Sequence, residues 1–471
     1  MVQQPERPRD VRVDLLSAGY GLGSWIAMTG LWVELPVLVQ RLPEGWALAS
    51  QLALFLQVAN IGPILYGLFH YWWPKWVTER SATHFQLALG AVSTFLLIFT
   101  WSTTISGISV PFFILSFGLS IVDCTSSVVF LPFMANFRPC YLTPYLVGEG
   151  LSGLVPSLVA IAQGIENPEC VNVTEEIFSP EIGGNITTEV LLPRIKEPRF
   201  SPEWFFVILL AMVLFSWLAF ILLDKLPFCQ KEKVECFTMK EYLNQECFEM
   251  QVASLDSDNK PPKTTQPSRA LYLYLLFLQL WASIATFGIF PAIQDHVRKL
   301  VLLNCDRCIP QSQKRFSFIC RHSGRNKPYS CLPYGDGPFH LTVTLCGVAY
   351  PAACLLAMFL EMRSVSWISW MSLAATVVSC YAMLTAIMSP HPPLLDSTAG
   401  PVLIVVCWVS FMFAFSYIKT MVTVLLGDYW GHRALFWCGA VTQAGAVAGV
   451  LLMFLLVNVF EVFHDEGMCL A

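Results

Sequence analysis

Eleven stretches of this chain are apolar for about twenty residues or more, the length of α-helix that crosses the hydrocarbon core of a bilayer. They run over residues 14–37, 50–72, 82–104, 109–135, 142–164, 203–224, 270–295, 338–360, 365–388, 399–425 and 433–460. Inside lipid every backbone N–H and C=O has to be paired within the spanning segment, so runs of this length fold as helices. Composition agrees. Of the 471 residues, 55% are hydrophobic and 13% charged, against about 25% charged in a soluble domain. Mean hydropathy is +0.58. The expected class is an all-α integral membrane protein with eleven transmembrane helices. A polar, proline-rich linker, 226–269, divides them into a bundle of six over 14–225 and a bundle of five over 270–460. The linker is read as a disordered tether. The net charge of −5 lies mostly in loops, and nothing in it points to nucleic acid.

Basic residues orient the bundle. Arg7, Arg9, Arg12, Lys75, Arg80, Arg138, Arg363 and Arg433 fall on one side, whereas the short loops of the other side hold only Arg41. The positive-inside rule then puts residues 1–13 and the linker in the cytoplasm, and residues 461–471 outside. The opening "MVQQPERPRDVRVD" is charged and is read as retained rather than as a secretory leader. The outer loop 165–202 carries "NVT" at Asn172 and "NIT" at Asn185, both glycosylation acceptors. The outer loop 296–337 carries Cys305, Cys308, Cys320 and Cys331; Cys170 and Cys469 bring the outer cysteines to six. "CDRC" has no second close pair to complete a zinc site. An oxidising compartment favours disulfides, whose pairing the spacing leaves open.

Polar side chains inside membrane spans face protein or a water-filled path, and here they align. Asp123, Ser126, Ser127 and Phe130 share one helical face. Tyr145, Glu149, Ser152, Pro156 and Gln163 follow another. Gln57 and Asn60 precede Gly62 and Pro63. Gln279, Ser283, Thr286 and Phe290 mark the seventh span, and Ser416, Lys419, Thr420 and Thr423 the tenth. In the first span Gly21, Trp25, Met28 and Trp32 form one face and Gly23, Ala27, Gly30 and Glu34 the other, with Glu34 near the outer end in reach of water. Gln443 lies beside "GAVAG", whose GxxxG spacing suits close helix packing. Glycines flank Glu149 and a proline follows it, so the fifth span is expected to bend or unwind as broken transporter helices do. Lys419 either snorkels to the surface or pairs with a carboxylate. Asp123 either holds a structural contact or serves the path. Glu34, Asp123 and Glu149 are the candidate pH-sensing groups, since burial ties a carboxylate's charge to its surroundings. There is no phosphate-binding loop, no zinc-protease helix and no soluble catalytic domain. The pattern is that of a carrier for a small polar solute, not of an enzyme.

Several stretches carry a resemblance. "GLGSWIAMTGLWVELPVLVQRLPEGW", "QVANIGP", "VDCTSSVVFLPFM", "YLVGEGLSGLVPSLVAIAQG", "FSYIKTM" and "LFWCGAVTQAGAVAGVLLMFLLVNV" together resemble the vertebrate riboflavin transporters, solute carrier family 52. "VDCTSSVVFLPF" and "GEGLSG" look most similar to its third type. The resemblance implies a two-bundle helical carrier, similar to the major facilitator or equilibrative nucleoside transporters. It also implies sodium-independent riboflavin uptake at the plasma membrane, favoured at acidic pH in the third type. Riboflavin is then substrate rather than cofactor, and membrane lipid is the other partner. A flat heterocycle stacks on aromatic rings, for which Trp25, Phe130, Tyr145, Trp281, Phe287, Phe290 and Tyr417 are candidates. Its donor–acceptor edge and ribityl hydroxyls suit Gln57, Asn60, Asp123, Ser127, Glu149, Ser152, Gln163 and Gln443. A neutral solute needs no cation, so Lys419 is a candidate for an ion pair within the protein. Alternating access by rocking of the two bundles is the expected mechanism. Two other readings suit the same residues: a carrier of another heterocycle such as a nucleoside, and a multi-span receptor. The odd number of spans with an inner N-terminus disfavours a seven-span receptor.

Overall fold

The computed structural model describes residues 9–45, 47–164, 169–179, 184–194, 198–233, 268–289, 334, 336–389, 392–395 and 397–460. Its first half comprises α1 (Val11–Gly21), α2 (Ile26–Arg41), α3 (Ala47–Ala59), α4 (Ile61–Trp72), α5 (Glu79–Thr100), α6 (Val110–Met134), α7 (Leu142–Gln163) and α8 (Pro202–Lys225). The second half comprises α9 (Arg269–Ser283), α10 (Asp336–Phe359), α11 (Val365–Ile387), α12 (Ala399–Trp430) and α13 (His432–Phe454). A π-helical turn, Ile284–Ile289, continues α9, and another, Leu455–Val459, continues α13. Among the described residues nine helical spans are long and apolar enough to cross a membrane, or ten when α1 and α2 count as one. The segment expected over 338–360 is helical in α10, but its apolar part, Thr344–Phe359, is shorter. Phe290, Cys305, Cys308, Cys320, Cys331 and Cys469 lie outside the described residues, as does most of the linker.

Three features depart from the sequence reading. The first span is not one helix. It breaks after Gly21 and resumes at Ile26, and its two parts are bent by 52°. The two faces expected to run from Gly21 to Glu34 are therefore interrupted. Conversely α7 stays helical from Leu142 to Gln163, so Glu149 does not sit at an unwound segment. Its flanking glycines serve close packing instead. A Cβ on Gly148 would run into the Ala18 carbonyl of α1, and one on Gly150 would meet Pro351 of α10 at 2.9 Å. Glu149 is thus held where α7 is wedged between the two halves. Third, the segment between α7 and α8 forms an antiparallel hairpin of β1 (Glu169–Ser179) and β2 (Gly184–Arg194), paired from Glu169 with Arg194 to Ser179 with Gly184. Its β-branched, alternating sequence accounts for it. Cys170, Asn172 and Asn185 fall on its strands, and their side chains lie outside the described residues.

The halves meet along a seam where α7 packs on α10 and α6 on α13. Gly439 of α13 allows this crossing, because a Cβ there would strike the Ser127 carbonyl of α6. The GxxxG pair Gly445 and Gly449 packs within the second half, on Ser283, Ile284 and Gly288. Toward the end of the bundle that carries the N-terminus and linker, the seam is sealed by apolar side chains. The core around Tyr20, Phe133 and Leu146 runs across to Cys354, Val424 and Leu435 of the second half. At the surface of this end, Glu79 at the start of α5 meets His432 at the start of α13, Oε1 to Nε2 at 3.0 Å. Outside the membrane spans, Arg363 bridges Glu361 at 2.8 Å and Asp428 at 3.0 Å. Those carboxylates push its guanidinium above its ordinary value, chiefly through the bond to Glu361.

Candidate functional site

Midway along the seam, polar side chains from both halves converge. Ser127 and Glu149 come from the first half, beside Leu131 and Leu146, and Gln279, Tyr350, Lys419, Thr420, Thr423 and Thr442 from the second. Three contacts knit them. Tyr350 Oη donates to Glu149 Oε1 at 3.0 Å. Gln443 Nε2 donates to Ser127 Oγ at 2.7 Å, again across the seam. Gln279 Nε2 donates to Thr442 Oγ1 at 2.9 Å within the second half, leaving Gln279 Oε1 unpartnered. The enclosed cavity is about 20 Å³, room for about one water molecule. An organic solute needs a site of roughly 300 Å³ or more, so the seam has to part to admit one.

Lys419 is 6% exposed, and an uncompensated charge at that depth costs several kcal/mol, of order 3–5. Two features offset the cost. Its charge acts on Glu149 across the seam. Its Nζ also lies 3.8 Å from the centroid of the Phe287 ring and 5.7 Å from that of Tyr350, a cation–π arrangement worth about 2 kcal/mol when desolvated. Phe287 in turn stacks on Trp25 of the first half, centroids 5.4 Å apart and planes 12° from parallel. Trp25, Ser127, Glu149, Phe287, Lys419 and Gln443 are thus brought together at the seam.

The other expected residues are not. Phe130 and Tyr145 are fully buried in the first half, with Phe130 4.6 Å and Tyr145 5.7 Å from the ring of Tyr20. Their alignment with Ser127 and Glu149 reflects a core face, not an open path. Tyr417 donates to the Leu360 carbonyl and anchors the turn after α10. Trp281 Nε1 donates to Thr376 Oγ1 at 3.0 Å, tying α9 to α11. Gln57 and Asn60 lie at the α3–α4 break, where Asn60 Nδ2 bonds back to the Leu56 carbonyl. Ser152 bonds back to the Glu149 carbonyl at 2.6 Å. Glu34 is 0% exposed rather than in reach of water. Its Oε1 accepts from Gln163 Nε2 at 3.0 Å, and that amide also donates to the Phe200 carbonyl, so both residues belong to the first half.

Asp123 has a structural setting of its own. The break in the first span exposes the N–H groups of the first turn of α2, and Trp25 at the cap position offers no side-chain acceptor. Such groups are costly in lipid. Asp123, 0% exposed on α6, lies close to the Met28 backbone of that turn, with neither of its oxygens hydrogen-bonded to a described residue. Ser120, one turn earlier, reaches Met28 Sδ at 3.5 Å. Asp123 therefore stands at the broken span, and the electrostatic partner of Lys419 is Glu149.

Tyr350, Thr442 and Gln279 also line the cluster, and the sequence does not single them out as substrate contacts. The signal for Tyr350 was its place before Pro351 inside an apolar run. Gln279 stood on a recognised polar stripe. Thr442 gave none beyond being next to Gln443.

The sequence model of solute carrier family 52, riboflavin transporter, matches residues 9–298 and 326–465. The chain belongs to this family. The zebrafish (Danio rerio) protein named solute carrier family 52, riboflavin transporter, member 3-B is 36% identical, over 97% of this chain and 98% of that one. The human (Homo sapiens) member 3 is also 36% identical, over 97% of each chain. The human member 2 is 31% identical, over 99% of this chain and 98% of that one. The fold is similar to that of solved major facilitator transporters. The proton:xylose symporter XylE bound to 6-bromo-6-deoxy-D-glucose aligns with a TM-score of 0.55 at 12% identity, covering 96% of this chain and 88% of the other. The Escherichia coli fucose:proton symporter FucP aligns with a TM-score of 0.51 at 12% identity, covering 96% and 92%. This solute carrier family 52 chain is a multi-pass membrane transporter, not an enzyme.

Proposed function

We propose that the chain carries riboflavin across the plasma membrane by alternating access, through the seam between its six-span and five-span bundles. The observation that carries the reading is the polar and aromatic cluster built jointly by the two halves around Glu149, Tyr350, Lys419 and Phe287. A solute bound there touches both halves, so its binding is linked to their relative motion. The relatives' names supply the substrate. Its flat neutral ring suits Trp25 and Phe287, and its polar edge suits Ser127, Gln279 and Gln443.

The orientation drawn from basic residues places the sealed end of the seam in the cytoplasm. On that reading this conformation is closed inward, and riboflavin enters from outside. The hairpin with Asn172 and Asn185 is then extracellular and glycosylated, and the outer cysteines form disulfides. The acidic-pH dependence of uptake is assigned to Glu34, Asp123 or Glu149. Replacing each by its amide and following uptake across pH tests that assignment, which an unchanged profile in all three variants rejects.

The test of function is uptake of radiolabelled riboflavin by cells expressing the full chain. Saturable, sodium-independent uptake is expected, competed by unlabelled flavin analogues and not by nucleosides. Competition by nucleosides alone would assign a different heterocycle.

A further inference from the structure

We propose that Trp25 and Phe287 are the two faces of an aromatic clamp for the flat ring of the solute, and that their mutual stack is the clamp shut on itself. The inference rests on the riboflavin reading and names the subsite that reads the ring.

Four observations converge. Each face comes from a different half: Trp25 from the first, Phe287 from the second. Each also sits on irregular backbone, Trp25 at the break of the first span and Phe287 in the π-helical turn after α9. Irregular backbone at membrane depth is tolerated where it borders a path or is buried in protein, and π-helical turns recur at functional sites. The stack is also unlike the packing rings nearby. Trp25 and Phe287 lie 12° from parallel, whereas Tyr20 meets Phe130 at 32° and Phe133 at 76°. A near-parallel pair is the geometry into which a planar heterocycle inserts. Finally, both rings are half-buried, while Phe130, Phe133 and Tyr145 are buried.

The clamp accounts for the aromatic side of recognition as a replacement. In the shut form each ring satisfies the other. A heterocycle between them needs planes about 7 Å apart, twice an ordinary contact distance of about 3.5 Å. Because the faces belong to different halves, inserting the ring requires the halves to part there. Lys419, its Nζ 3.8 Å from the Phe287 centroid, holds that ring from the second half. Gln279 Oε1, buried and unpartnered in the adjoining cavity, is available to a donor on the polar edge of the ring system.

The experiment measures riboflavin uptake by the full chain, and its inhibition by lumichrome, the ring system without the ribityl chain. Trp25→Leu and Phe287→Leu are expected to raise the riboflavin KM and weaken lumichrome inhibition on the order of tenfold. Trp25→Phe, which keeps an aromatic face, is expected to stay within about threefold. A second readout protects against misfolding of the leucine variants. Flavin bound to purified wild-type protein is expected to lose fluorescence by electron transfer from the stacked indole, and to regain it in Trp25→Phe. Unchanged lumichrome inhibition in both leucine variants, or equal quenching in wild type and Trp25→Phe, overturns the clamp and leaves riboflavin transport standing. A wild-type chain that neither takes up nor binds riboflavin overturns the functional reading, and the clamp with it.

Discussion

Asp123 and Glu149 begin as equals: each is a carboxylate within an apolar span, on a helical face that also carries hydroxyl groups. The structure separates them. Asp123 is enclosed in the first half, close to the Met28 backbone at the broken span. Glu149 lies on the seam, bonded to Tyr350 of the second half and acting on Lys419. The same contrast holds for amides. Gln163 is enclosed in the first half against Glu34 and the Phe200 carbonyl, whereas Gln443 crosses the seam to Ser127. A polar residue in a membrane helix thus has two uses. It can satisfy backbone and side-chain groups that lipid cannot, or it can stand where a solute passes. Position relative to the seam decides between them.

The contrast can be broken by experiment, and the largest effect is expected at the seam charges. Glu149→Gln and Lys419→Gln should each lower riboflavin uptake at least tenfold, because each leaves a buried partner uncompensated. The double variant should lose less than the sum of the two losses in free energy. Uptake normalised to surface expression measures this, and simple additivity would deny the coupling.

Asp123 should behave differently. Asp123→Asn keeps a polar side chain of the same size beside the first turn of α2, whereas Asp123→Leu leaves that turn facing an apolar group, at an expected cost of about 1 kcal/mol. Thermal unfolding in detergent should rank wild type and Asp123→Asn together, above Asp123→Leu. An asparagine variant as damaged as the leucine one would point to the charge itself.

The smallest effect on transport is expected in the aromatic core. Phe130→Leu should lower thermal stability by about 1 kcal/mol and leave the riboflavin KM within twofold. A large rise in KM would move Phe130 from the core to the path.

Much of this was legible in the sequence, for definite reasons. Apolar length located the helices, although the described residues give nine spans, or ten with α1 and α2 taken as one, where the sequence suggests eleven; the stripe through Lys419, Thr420 and Thr423 is buried. The family resemblance was carried by long specific stretches that the comparisons match. Periodicity could not tell which inward face was core and which was seam, since both exclude lipid. Phe130 and Tyr145 were therefore grouped with Ser127 and Glu149. The glycines around Glu149 suggest weakness in the helix, whereas in the structure they permit backbone approach to Ala18 and Pro351. The break in the first span gave no proline signal, since Pro36 lies inside α2. The hairpin between α7 and α8 gives a weak signal, because its alternation is confined to a loop between two long helices.

The most direct test of the account compares three amides by the KM of saturable riboflavin uptake. Gln279→Ala and Gln443→Ala, at the seam, are predicted to raise it about tenfold, the worth of one or two hydrogen bonds. Gln163→Ala, within the first half, is predicted to leave it within twofold. An unchanged KM in both seam variants, with a large rise in Gln163→Ala, would contradict the assignment of the path to the seam.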